Sequence, residues 1–152
     1  MDFTVFVTVL SGVLTYVFGQ LLVKIVIEPV QEARRTIGQI SHSLIEHAHV
    51  ISNPGVPSEE VMRETAQHLR KLSSQLQSHL YLVPRYAVTA RMFALPSRDQ
   101  LLSASKYLIG LSNSVYRATD RVHEQNASRV EKICDALSIY MPDDERISKV
   151  YQ

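Results

Sequence analysis

Residues 3–27, FTVFVTVLSGVLTYVFGQLLVKIVI, decide how the rest of the chain is read. Residues 3–23 carry no formal charge, and Lys24 is the only charged side chain between Asp2 and Glu28. At about 1.5 Å of rise per residue, a helix of that length covers roughly the 30 Å of a bilayer's hydrocarbon core. A helix also satisfies its backbone donors and acceptors within one segment, as lipid requires. Lys24 comes at the end, where its stem can stay in lipid while the ammonium reaches the headgroups. The stretch is therefore expected to be a transmembrane anchor. A cleaved signal peptide would need a basic leading region, a shorter apolar core and a small-x-small cleavage site. Here the leading residues are Met1-Asp2, the apolar run is too long, and residues 21–27 contain no such site.

The flanks give an orientation. Asp2 precedes the apolar run, whereas Lys24, Arg34 and Arg35 follow it. The positive-inside rule then places the C-terminal part in the cytoplasm and the N-terminus outside, a single-pass inner-membrane layout. Cys134 is the only cysteine, so no intrachain disulfide can form, which agrees with a reducing compartment. About 125 residues remain beyond the anchor, enough for one small domain with its own core. The net charge of +1 gives no global field to select a nucleic acid polymer. Mean hydropathy is −0.03, an average over a very apolar start and a polar remainder.

Past the anchor, Pro29 either begins a new helix at its first position or kinks a continuous one. Val30, Ala33, Ile37, Ile40, Leu44, Ala48 and Ile51 recur at three and four residues, the spacing of an amphipathic helix. Asn53-Pro54-Gly55-Val56-Pro57 stops it. Ser58 is an N-cap candidate with Glu59 and Glu60 behind it, and Val61, Thr65, Leu69, Leu72, Leu76, Leu80 and Val83 form the next apolar stripe. Pro84 ends or sharply bends that helix. Residues 85–95 read as a short helix wedged across the bundle or against the membrane surface. Ser97-Arg98-Asp99-Gln100 is a capping box opening a helix with Leu101, Ala104, Leu108, Leu111 and Val115, its stripe widened by Leu102, Ile109 and Tyr116. Ser128-Arg129-Val130-Glu131 is read as a second box, opening a last helix with Ile133, Cys134 and Leu137.

No segment shows period-two alternation. The expected fold is all-α: a transmembrane helix over residues 1–28, a small antiparallel helical bundle over 29–140 and a C-terminal tail over 141–152. The run LPSRDQLLSASKYLIGLSNSV at residues 95–115, preceded by an apolar helix leading into KIVIEPVQEARRTIGQI, resembles a group of small uncharacterised bacterial membrane proteins. The resemblance covers most of residues 20–137. It implies a bacterial source and a single-span helical layout, and it brings no activity and no site residue with it.

Within the anchor, Thr8, Gly12, Thr15 and Gly19 fall on one face, together with Thr4 and Ser11. Small faces let helix backbones approach closely in lipid, so this is a candidate self-association face, although Thr and Gly are common in membrane helices anyway. A second candidate is His42, Glu46 and His49, three metal-ligand types at i, i+4 and i+7, with His68 and His79 able to face them from the next helix. The competing reading is a solvated polar face. A third is Arg85, Arg91 and Arg98 with Tyr86, an arginine and aromatic set suited to an anionic ligand such as a nucleotide. Those arginines could equally pair with Asp99, Glu59 or Glu64, or face anionic lipid headgroups. Gly110-Leu111-Ser112-Asn113-Ser114 hints at close approach of another helix or a ligand, although a local kink or a helix nearing its end would explain it equally well, and packing is the preferred reading. Cys134 sits on an apolar face and reads as a small core residue.

No Gly-rich phosphate loop, H-E-x-x-H, C-x-x-C or G-x-S-x-G occurs in the chain. The expected function is a non-enzymatic, membrane-anchored assembly protein without a cofactor. Its expected partners are membrane lipids and further copies of itself, with another protein as a further candidate. The alternatives are a ligand-gated membrane effector and, third, a metal-dependent enzyme.

Overall fold

The computed structural model describes residues 2–117 and 120–147. The apolar run and the first amphipathic segment form one unbroken helix, Phe3–Glu46, long and apolar enough in its first part to cross a membrane. It consists of α1 (Phe3–Leu22), a π-helical stretch (Val23–Ile27) and α2 (Glu28–Glu46). Pro29 gives a physical reason for the middle piece. Proline has no N–H to donate, and its ring crowds the carbonyl four residues earlier, here that of Ile25. In the widened stretch the Glu28 N–H reaches the Val23 carbonyl, five residues back instead of four. Of the two sequence readings of Pro29, the continuous helix is the one found.

His47, at φ −98° and ψ 14°, interrupts the helix, and α3 (Ala48–Ser52) resumes it for little more than a turn. Gly55, at φ 77°, makes the turn that Asn53 and Pro54 announce, and its N–H bonds to the Val115 carbonyl at 2.9 Å. Ser58 caps α4 (Glu59–Leu82) by accepting the Val61 N–H. Arg85, in the left-handed conformation at φ 45°, leads into α5 (Tyr86–Met92). The Ser97–Gln100 capping box is formed in both directions and opens α6 (Arg98–Ser114). The last long helix, α7, spans Asp120–Leu137. Ser128 therefore lies in its middle: the second capping box is not a helix start, because eight preceding residues already propagate the helix.

Cross-helix bonds fix the directions. Thr36 meets His79 and Ser43 meets His68, so α2 and α4 are antiparallel. Ser73 meets Ser105 and Arg70 meets Ser112, so α4 and α6 are too. Ser114 meets Asn126 while Lys132 lies over the Tyr107 ring, which sets α7 against α6 in the same sense. The architecture is thus all-α, an N-terminal apolar helix leading into an antiparallel bundle, with no strand among the described residues. Its core joins Val30, Ala33 and Ile40 to Leu69, Leu72 and Leu76, to Leu101, Leu108 and Leu111, and to Ile133 and Leu137. The expected stripes are wider than the buried ones: Val61, Leu102, Ile109 and Tyr116 are exposed.

The described part of the tail is packed. Ile139 and Met141 lie against the core, Asp143–Glu145 form a 3-10 turn, and Arg146 Nη1 reaches Asp135 Oδ1 at 2.8 Å and Glu131 Oε1 at 3.9 Å. The chain turns back onto α7 within the segment assigned as the C-terminal tail, of which residues 148–152 lie outside the described residues. None of the described residues of α1 is buried.

Candidate functional site

The small face of α1 keeps its polar groups to itself. Thr8 Oγ1 donates to the Thr4 carbonyl and Thr15 Oγ1 to the Ser11 carbonyl, both at 2.9 Å. Each hydroxyl is satisfied one turn back along its own helix, so the face costs little in an apolar medium. A Cβ built at Gly12 or at Gly19 would meet nothing within 4 Å. Both positions are open to a neighbouring helix.

The histidines do not form the cluster their spacing suggested. His42 Nε2 lies 3.7 Å from Glu46 Oε2, both largely exposed, while His49 falls beyond the interruption at His47 and contacts Asn53. Among the described residues no group of three or more His, Cys, Asp or Glu is placed to hold a metal ion. The break at His47 is the reason, since it destroys the i, i+7 relation that a straight helix would give His42 and His49.

Other histidines sit in the seam between α2 and α4. His68 Nε2 is 2.7 Å from Ser43 Oγ, and His47 meets His68 edge to face with ring centroids 5.5 Å apart. His79 is buried, with Nε2 2.8 Å from Thr36 Oγ1. The Thr36 hydroxyl also reaches the Glu32 carbonyl at 3.1 Å, and the arrangement in which it donates there and accepts from His79 puts the imidazole proton on Nε2. His79 Nδ1 is then a buried acceptor with no partner. Protonating it would create a cation with an unsatisfied N–H, and burial accordingly holds the His79 pKa below its ordinary value against the pull of Glu32. His47 is shifted the same way, by burial first.

The proposed anionic-ligand set is split. Tyr86 is buried, its hydroxyl donating to the Pro96 carbonyl at 2.7 Å, and burial pushes its pKa up to about 12. It is a core residue tying α5 to the loop before α6. Arg85, Arg91 and Arg98 are exposed, and none pairs with Asp99, Glu59 or Glu64. Arg34, which the sequence offered only as a flanking positive charge, is the arginine that holds this region: its Nη2 donates to the Phe93 carbonyl at 2.7 Å, fastening the end of α5 to α2.

The Gly110 patch is a packing site. A Cβ at Gly110 would lie 3.0 Å from Arg129 Nε, so the missing side chain makes room for the Arg129 guanidinium of α7. Beside it, Arg70 donates to Ser112 Oγ and Asn113 Oδ1. Asn126, also missed, is fully buried, accepting from Ser114 and Arg129 and donating to the Ile51 carbonyl. A buried Asn in the polar run DRVHEQNA gives no apolar period to find it by.

Cys134 is buried and its thiol is pushed up by burial, away from nucleophilic thiolate chemistry. It lines a groove of about 560 Å³ with Leu44, Ile51, Val130, Ile139 and Tyr140, between α2–α3 and α7. No protein-family model, curated protein or solved structure is significantly similar to this chain.

Proposed function

We propose that this protein is a non-enzymatic, membrane-anchored assembly module, inserted by α1 with its bundle in the cytoplasm and associating through the small face of that helix. One observation carries the reading: a single unbroken helix, Phe3–Glu46, takes a wholly exposed apolar segment directly into the core of a bundle. An exposed face of that size needs an apolar medium or a partner. Joined without a flexible linker to α2, it would hand any approach of two spans to the bundles they carry. The charge asymmetry about the apolar run supports the N-out, C-in orientation and, with it, an inner-membrane location in a bacterial cell.

A ligand-gated effector reading would rest on Arg85, Arg91 and Arg98 without Tyr86, which is withdrawn into the core. The groove beside Cys134 is apolar and lies on another side of the bundle, so it offers an anionic ligand little. A metal-dependent enzyme would need ligands other than His42, Glu46 and His49.

Association of the full chain in membranes tests the proposal. Replacing Gly12 and Gly19 with Leu keeps the span hydrophobic and adds bulk where backbones would meet. Cross-linking between copies should fall for that pair and persist when Val13 and Val17 are replaced with Leu. Equal behaviour of the two pairs would remove the small face from the assembly.

A further inference from the structure

The end of the bundle from which the apolar helix leaves carries an unpaired basic and apolar surface, formed by the close of α4 and the outer side of α5. Tyr81 is 85% exposed, Leu82 59%, Val88 57% and Met92 75%, an unusual set of large apolar side chains to leave in water together. Tyr86, Thr89 and Ala90 are the buried side of α5, so Val88 and Met92, four residues apart, are its outer face. Arg85 and Arg91 flank them and Arg98 opens α6 at the same end, all three exposed. Between Glu64 and Asp99 the chain has no carboxylate side chain at all.

The position of this surface along the long helix follows from the contacts. Thr36 meets His79 and Ser43 meets His68, so the end of α4 lies beside the start of α2. Val30 and Ala33 share a core cluster with Val83, Tyr86, Ala90 and Leu95, and Arg34 holds the Phe93 carbonyl. From Ile27 to Arg34 the helix climbs about 10 Å. A bilayer's headgroup layer is about 5–8 Å deep on each side. The outer face of α5 therefore lies at the outer edge of the headgroup layer when α1 stands upright. A tilt of about 20°, ordinary for a span, lowers an element packed about 10 Å to its side by roughly 3 Å, into that layer.

We infer that this cap is a second membrane contact: Tyr81, Leu82, Val88 and Met92 enter the interfacial layer, and Arg85, Arg91 and Arg98 bind anionic phospholipid headgroups. This rests on the reading of α1 as a membrane span. Arginine on an interfacial helix suits phosphate, none of these three arginines is held in an ion pair within the bundle, and Tyr prefers the boundary between apolar and wet surroundings. The bundle is thereby held upright on the surface by two attachments, α1 through the membrane and α5 upon it.

The test uses the full chain in a Cys134→Ala background, reconstituted in phosphatidylcholine vesicles containing one-third phosphatidylglycerol. An environment-sensitive fluorophore is placed in turn at Met92→Cys, at Leu14→Cys in the span and at Val56→Cys, exposed at the far end of the bundle. Nitroxide carried near the lipid headgroup should quench Met92 strongly and Val56 hardly at all, and nitroxide deep in the acyl chains should quench Leu14. Arg91→Gln should lower the docked-to-undocked ratio about fivefold, as should each further arginine removed. Leu14 quenched with Met92 as accessible to water as Val56 would overturn the docking and leave the span standing. Failure of Leu14 itself to be quenched would overturn both. Equal quenching of Met92 in pure phosphatidylcholine would overturn the role of the arginines, and Met92→Cys cross-linking between copies without lipid quenching would give the surface to a second copy.

Discussion

α1 and α2 are two halves of one helix, and they treat their hydroxyls in opposite ways. In α1, Thr8 and Thr15 close back on their own carbonyls and no side chain is buried. In α2, Thr36 closes on Glu32 but also accepts from His79, and Ser43 contacts His68. A polar group facing lipid must be satisfied within its own helix, because no outside partner is supplied. The same group in a bundle can be a cross-link, and there it gains the specificity of a buried contact while its loss leaves a partner stranded. One continuous backbone thus carries a half whose hydroxyls are satisfied internally and a half whose hydroxyls cross-link a core.

The sharpest break of this comparison is a leucine truncated on each side. Leu76, at the centre of the core, should lose about 2–5 kcal/mol of bundle stability when replaced by Ala. Leu14→Ala in α1, where the side chain meets no other part of the protein, should leave the bundle's thermal unfolding in detergent unchanged. Equal shifts at the two positions would mean that the halves unfold as one. Next in size is Asn126→Ala, expected to cost about 1–3 kcal/mol, since it strands the Ile51 carbonyl and removes an acceptor from Ser114 and Arg129. Denaturant titration of the full chain reads it, and a change within about 0.5 kcal/mol, the range for plain surface sites, would deny Asn126 its structural role.

The smallest effect expected is a pH dependence confined to the bundle. His79 and His47 have folded pKa values held below the ordinary 6.5, so the unfolded chain takes up protons first as pH falls. Their contribution is complete above pH 6.5 and declines as pH drops below it towards the folded values. Tm should therefore be lower at pH 5.5 than at pH 7.5, and His79→Leu, which leaves Thr36 its bond to Glu32, should flatten the slope. An unchanged or steeper slope in that variant would remove His79 as a source of the pH dependence.

The layout was legible because it rests on apolar periodicity. The stripes of α2, α4 and α6 repeat at helical spacing, and their central members Ile40, Leu69, Leu76 and Leu108 are all fully buried. The failures were local motifs judged without their surroundings. Ser128 and Glu131 satisfy a capping-box pattern, yet the chain before them is already helical, held by Val122 and by Asn126, whose burial depends on hydrogen bonds. His42, Glu46 and His49 share a face only on a straight helix, and the turn at His47 has no signal in residue type. Tyr86 was grouped with exposed arginines because sequence gives neighbours but not the side they face. Gly110 was read for what it is, a place of close approach, although Arg129 as the visitor was not foreseeable.

The widened stretch at Val23–Ile27 also has an angular meaning. Successive residues of an α-helix are turned by about 100°, and a π turn takes in about one residue more than an α turn before the chain comes round. Those five residues therefore set the compass bearing of everything beyond them relative to everything before. Removing one residue there, or replacing Pro29 so that the turn tightens, would swing the bundle about the axis of α1 without altering either half. Two copies meeting along Gly12 and Gly19 would then face each other with different sides of their bundles, a change of bearing with no change of parts.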